Sequence, residues 1–148
     1  MKILVSACLL GHKCKYNGGD NYTPAVVEYV KDHEVIPVCP EMQAGMGCPR
    51  IPIEIVNGVL MDQNGKNVDA AMRAAIAEIM ADIADEEIAC AILKSRSPTC
   101  GVKQIYDGTF SGTLISGSGL FAQALKDAGY RVIDCEDVGE REEANGRR

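Results

Sequence analysis

The residues with the most chemical promise are thiols. Seven cysteines, at positions 8, 14, 39, 48, 90, 100 and 135, occur in 148 residues. The number is odd, so intramolecular disulfides alone would leave one over. No export signal is legible, which points to a cytoplasmic location, where disulfides are rare. Thiols there serve metal binding, redox chemistry or catalysis, or fill space as small apolar groups. There is no Cys-x-x-Cys and no run of two-residue gaps between cysteines. That speaks against zinc ribbons, thioredoxin-like motifs and ferredoxins.

Polar groups accompany two of the thiols. Glu41 follows Cys39-Pro40; a carboxylate partly desolvated there could pass protons near neutrality. The plainer role is a loop or first-turn carboxylate. Ser97 stands three residues before Cys100, where its hydroxyl could bond substrate or an activated water, or simply form the turn before Pro98. Lys94, Arg96 and Lys103 add positive charge around that loop, and Arg50 could pair with Glu54 or with an anion. His12 and His33 stand alone in polar contexts and are not expected to be ligands. Gly117-Ser118-Gly119-Leu120-Phe121-Ala122 fits G-x-G-x-x-A and opens a helix. Such a start can bind a phosphate or carboxylate, or it can serve close packing.

The elements that must position these groups alternate. Residues 3–7 read as a buried strand, 23–31 as a helix opened by Pro24, and 35–39 as a second strand interrupted by Pro37. Residues 53–55 and 59–61 flank Asn57-Gly58, a hairpin signal. Met72, Ile76, Ile79, Met80 and Ile83 recur at helical spacing within a helix over 69–85. Residues 88–93 read as a third buried strand, 119–128 as an amphipathic helix capped by Gly129, and 130–133 as a last strand. The tail 136–148 is polar and expected to fray. This order predicts one α/β domain over 1–148: a mainly parallel, Rossmann-like sheet flanked by helices, plus a small β-hairpin.

In such sheets ligands bind outside the carboxyl ends of the strands. Cys8 follows the first strand, Cys39 ends the second and Cys100 lies in the loop after the third. Three thiolates meeting there without a fourth protein ligand would leave a coordination position open to substrate, on zinc or on an iron–sulfur cluster. Cys90 is expected to be a buried small hydrophobe. Cys135 could approach the same edge, Cys14 could be a spare or resolving thiol, and Cys48 sits in a glycine-flanked loop.

Composition narrows the partners. Fifteen Lys and Arg against 21 Asp and Glu leave a formal charge of −6, which argues against a grip on long nucleic acid. Trp is absent and Phe occurs twice, so stacking platforms for single strands are not expected. Val5-Ser6-Ala7-Cys8 resembles a lipoprotein cleavage box, but seven residues before the cysteine are too few for a signal. No apolar run is long enough to span a membrane.

Together the motifs resemble the small thiouracil desulfidase (TudS-like) family. Ser6-Ala7-Cys8-Leu9-Leu10-Gly11 with Cys14-Lys15-Tyr16-Asn17-Gly18 looks like its opening signature. Cys39-Pro40-Glu41, then Pro49-Arg50 and Glu54, looks like its second block, and residues 92–101, ending Ser97-Pro98-Thr99-Cys100-Gly101, resemble its third. Tyr106-Asp107-Gly108-Thr109-Phe110 and the Gly117/Gly119 segment follow in family order. The resemblance implies a 4Fe-4S cluster on Cys8, Cys39 and Cys100, with Cys48 as the alternative to Cys39. It implies non-redox removal of sulfur from thiolated pyrimidines such as 2-thiouracil, 4-thiouracil or 4-thiouridine, as bases or nucleotides. The thio sulfur would meet the open iron while water attacks the ring carbon, with Glu41 and Ser97 handling protons. A persulfide sulfur-transfer protein or a redox sensor without turnover is the alternative. Lys15-Tyr16-Asn17-Gly18 departs from the usual Arg-Tyr-Asp-Gly, and Met42–Gly47 departs from the usual glycine-rich stretch.

Overall fold

Four short apolar strands pair in parallel. They are β1 (Lys2–Ser6), β2 (Glu34–Val38), β5 (Ile88–Leu93) and β8 (Val132–Asp134), in the order β2-β1-β5-β8. The structure is a computed structural model and describes residues 1–13, 17–47 and 50–138; Cys14 and Cys48 lie outside the described residues. Between the strands run α1 (Pro24–Val30), the single turn α2 (Pro40–Gln43), α3 (Asp69–Ile83) and α4 (Leu120–Asp127). Two antiparallel hairpins stand apart from the sheet. One pairs β3 (Ile53–Val56) with β4 (Val59–Asp62), and the other pairs β6 (Gln104–Tyr106) with β7 (Leu114–Ser116). The α/β expectation therefore holds.

The alternation of side chains along the strands divides the core in two. Leu4, Ala91 and Leu93 face α3, α4 and the first hairpin, where Met72, Ile76, Ile79, Ile83, Phe121 and Leu125 are buried. Ile3, Val5, Cys90, Ile92 and Ile133 face the other way, onto Leu9 and onto Val26 and Val30 of α1. Cys90 is part of this second cluster, as the small-hydrophobe reading expects. Pro37 is tolerated because β2 is an edge strand paired on one side only. Asn57, at φ 52°, and Gly58, at φ 81°, form the expected hairpin turn.

Several boundaries differ from the sequence reading. Ala7 leaves β1 for a 3-10 turn over Ala7–Leu10, and Cys39 caps α2 instead of ending β2. Neither α2 nor the second hairpin was legible, since four-residue and three-residue elements carry no periodicity. The last strand starts two residues late. Beyond it, Cys135–Asp137 make a 3-10 turn and Val138 is buried, so the expected fraying does not begin at Glu136. Arg96 and Lys103 pair there with Glu136 and Asp137. Among the described residues no helix is long and apolar enough to cross a membrane.

Candidate metal centre

The chain reverses direction across the sheet between β1 and β5. It moves outward from β1 to β2, then crosses back to β5 and on to β8. A crevice at the carboxyl ends of the strands follows from that reversal. Ser6 closes its floor, its Oγ accepting from the Lys94 N–H at 3.0 Å and so joining the ends of β1 and β5. A cavity of about 510 Å³ opens there, and Cys8, Cys39 and Cys100 all line it. Glu41, Arg50, Glu54, Lys94 and Ser97 share its wall. The sequence thus brings three distant thiols to one place.

Each thiol is set by its own local device. Cys8 rides on the 3-10 turn, which ends at Gly11 in a left-handed conformation (φ 96°). Its carbonyl accepts from the Asn21 N–H at 3.0 Å. Cys39 is the N-cap of α2, which puts Glu41 in the first turn. Cys100 is held most tightly. Ser97 Oγ accepts from the N–H of Thr99 at 3.0 Å and of Cys100 at 3.1 Å. The N-terminal N–H groups of α4 then grip the same loop. Gly119 donates to Gly101 O, Leu120 to Pro98 O, and Phe121 and Ala122 to Thr99 O.

That grip corrects the expectation for Gly117, Ser118 and Gly119. The N–H groups suited to an anion are already taken by loop carbonyls, and Ser118 Oγ donates to Val102 O. The glycines serve close approach instead. A Cβ on Gly119 would lie 2.4 Å from Thr99 C and 2.8 Å from Pro98 C.

Glu41 is a first-turn carboxylate of α2, and it is paired. Arg50 Nε donates to its Oε1 at 2.9 Å, with Nη2 on the same oxygen, and Thr99 Oγ1 donates to Oε2 at 3.1 Å. The pair is substantially buried, with side chains 7% and 15% exposed. Arg50 therefore meets Glu41, not Glu54. Thr99, fully buried and not singled out by sequence, joins the Cys100 loop to the carboxylate. Its only signal was its place beside Cys100. Ser97 plays its turn-forming role, and with its lone pairs engaged it keeps one hydroxyl proton to donate.

Burial pushes the Cys100 thiol well above its ordinary range; the Ser6 hydroxyl opposes this, while Glu41, Cys8 and Cys39 reinforce it. Burial also raises Cys8, against the bond from Asn21. Cys135, the thiol expected near this edge, is buried beside Ser95 and raised by the same cause. Thiols so placed become ligands when a cation compensates their negative charge. Among the described residues no three His, Cys, Asp or Glu converge closely enough to hold one metal ion. The three thiols line one cavity without forming a site for a single ion. An all-thiol donor set arranged in this way fits a polynuclear cluster, in which separate iron atoms each take one thiolate.

Comparison with known proteins gives consistent matches. Residues 3–137 match the 2-thiouracil desulfurase family. The uncharacterized protein YbbK of Bacillus subtilis (strain 168) is 36% identical over an alignment of 148 positions that covers 93% of this chain and 98% of YbbK. The solved structure of a 4Fe-4S-dependent thiouracil desulfidase, TudS, is similar with a TM-score of 0.87. Its identity is 28%, over 99% of each chain.

Proposed function

The chain belongs to the 2-thiouracil desulfurase family, and we propose that it is a 4Fe-4S-dependent, non-redox desulfidase of thiolated pyrimidine bases or their nucleosides and nucleotides. The observation that carries this reading is the gathering of Cys8, Cys39 and Cys100 on one cavity with Glu41 and Ser97. In it these three cysteines hold the cluster. When bound, the cluster supplies a Lewis-acidic iron free of protein thiolate, able to take the soft thiocarbonyl sulfur. The net reaction is thiouracil plus water to uracil plus hydrogen sulfide, with no change of oxidation state.

The remaining work belongs to side chains. Arg50 and Thr99 hold the Glu41 carboxylate on the cavity wall, where it takes a proton from the attacking water. Ser97 hydrogen-bonds, through its free hydroxyl, the substrate sulfur on which negative charge builds as water adds to the ring carbon, and both protons of the water leave with that sulfur as hydrogen sulfide. A cavity of about 510 Å³ suits a base or nucleoside. The net charge of −6 favours such small substrates over long nucleic acid.

The test is anaerobic reconstitution followed by iron and sulfide analysis and turnover of 2-thiouracil and 4-thiouridine. About four irons per chain are expected. Separate Cys8→Ala, Cys39→Ala and Cys100→Ala variants should lose cluster and activity, whereas Cys90→Ala should keep both. Full turnover by Cys100→Ala would overturn the scheme. Loss of iron in Cys48→Ala but not in Cys39→Ala would move the second ligand to position 48. Activity that survives iron removal would favour persulfide transfer instead.

A further inference from the structure

Glu54 is a charged residue buried where burial needs a reason. It sits on β3, is 6% exposed and lines the thiol cavity. Its Oε1 is committed, accepting from the N–H of Gly108 at 2.9 Å and of Phe110 at 3.2 Å. Those bonds pin the β6–β7 loop over the cavity, and the loop in turn adds Phe110 and Gly112 to the lining. Its Oε2 has no partner among the described residues. No fully buried polar side-chain atom among the described residues is left unpaired, so Oε2 keeps a small exposure, and Glu54 is one of the residues that line the cavity. An acceptor with a free lone pair, fixed on a rigid strand, asks for a donor from the ligand.

Thiouracil-type pyrimidines carry one. In 2-thiouridine and 4-thiouridine alike, the ring N3–H lies next to the thiocarbonyl carbon. Resting on the desulfidase reading above, we propose that Glu54 Oε2 accepts this ring N–H and sets which pyrimidines the site takes. The carboxylate holds the base edge while the thiocarbonyl faces the cysteines. A base with a bare nitrogen at that position meets lone pair against lone pair and is rejected.

The experiment compares kcat/KM for 2-thiouridine and 2-thiocytidine, which present N–H and a bare nitrogen respectively at N3. Wild-type enzyme reconstituted with its cluster should prefer 2-thiouridine by at least about tenfold. In Glu54→Gln the amide oxygen can keep the Gly108 and Phe110 bonds while the amide nitrogen becomes a donor into the cavity. That variant should shift the ratio toward 2-thiocytidine by about tenfold or more, with iron content and melting temperature unchanged. An unmoved ratio in cluster-loaded Glu54→Gln overturns the assignment. N3-methyl-2-thiouridine probes the wild type without any substitution and should be turned over at least about tenfold more slowly than its parent. Equal rates for the two overturn the Glu54 assignment alone. Reconstituted wild type inert toward every thiopyrimidine overturns the desulfidase reading and this assignment with it.

Discussion

Replacing Gly119 by Ala tests how the Cys100 loop is held. Gly119 has φ −67°, which alanine adopts without strain, so the added methyl is the whole perturbation. That methyl would sit 2.4 Å from Thr99 C, 2.5 Å from Thr99 O and 2.8 Å from Pro98 C, all backbone atoms with no rotamer to change. Carbon atoms in contact need about 3.5 Å, so loop and helix must part by about 1 Å. The four N–H···O bonds of 2.8–3.2 Å from residues 119–122 then stretch beyond useful length. Overpacking of this kind costs about 1–3 kcal/mol, and each weakened bond about 1 kcal/mol more. Partial relaxation leaves a net loss of about 3 kcal/mol, or about 6–12 °C in melting temperature for a chain this size. Thermal unfolding of the cluster-free chain reads the stability. Iron per chain after anaerobic reconstitution reads the position of Cys100, and both should fall. Gln123→Ala, on the exposed side of α4, should stay within about 0.5 kcal/mol of wild type. A Gly119→Ala protein that melts within about 2 °C of wild type and loads iron fully would refute the reasoning.

Two further expectations concern buried charge. Arg50→Met leaves the Glu41 carboxylate, 15% exposed, without its cation. The expected cost is about 3–5 kcal/mol, measured by urea unfolding near neutral pH, and adding Glu41→Gln to Arg50→Met should recover part of it; no recovery would show that packing, not charge, is lost. Burial holds the Asp134 carboxyl above the ordinary carboxylate range, its bond from the Glu136 N–H opposing this. The folded state therefore binds the proton more tightly than the unfolded chain. Asp134 weakens folding above its folded pKa, and this penalty disappears as pH falls below the unfolded value. Asp134→Asn keeps the acceptor oxygen and should raise the melting temperature at pH 7, by about 2–4 °C for each kcal/mol recovered, with the gain vanishing in acid. A gain independent of pH would contradict the burial argument.

Much of the frame was legible in the residues themselves. Strands of continuous apolar character, the Asn57-Gly58 turn and the helical spacing from Met72 to Ile83 are local signals, because each element records its own periodicity. The family was legible too, through Cys39-Pro40-Glu41 and Ser97-Pro98-Thr99-Cys100-Gly101. What could not be read were pairings between residues far apart in the chain. The sequence offered Arg50 Glu54 or an anion, and only packing assigned it to Glu41 and left Glu54 to the loop at Gly108 and Phe110. Thr99 looked like a spacer until its hydroxyl was found on Glu41. The Gly117–Gly119 segment had the composition of an anion cradle. A helix N-terminus offers the same N–H groups to a phosphate as to a carbonyl, and the fold brought the Cys100 loop to them first. Sequence determines which donors, acceptors and thiols exist and which short elements carry them; the tertiary structure alone decides which partner each one meets, because that depends on distance through space.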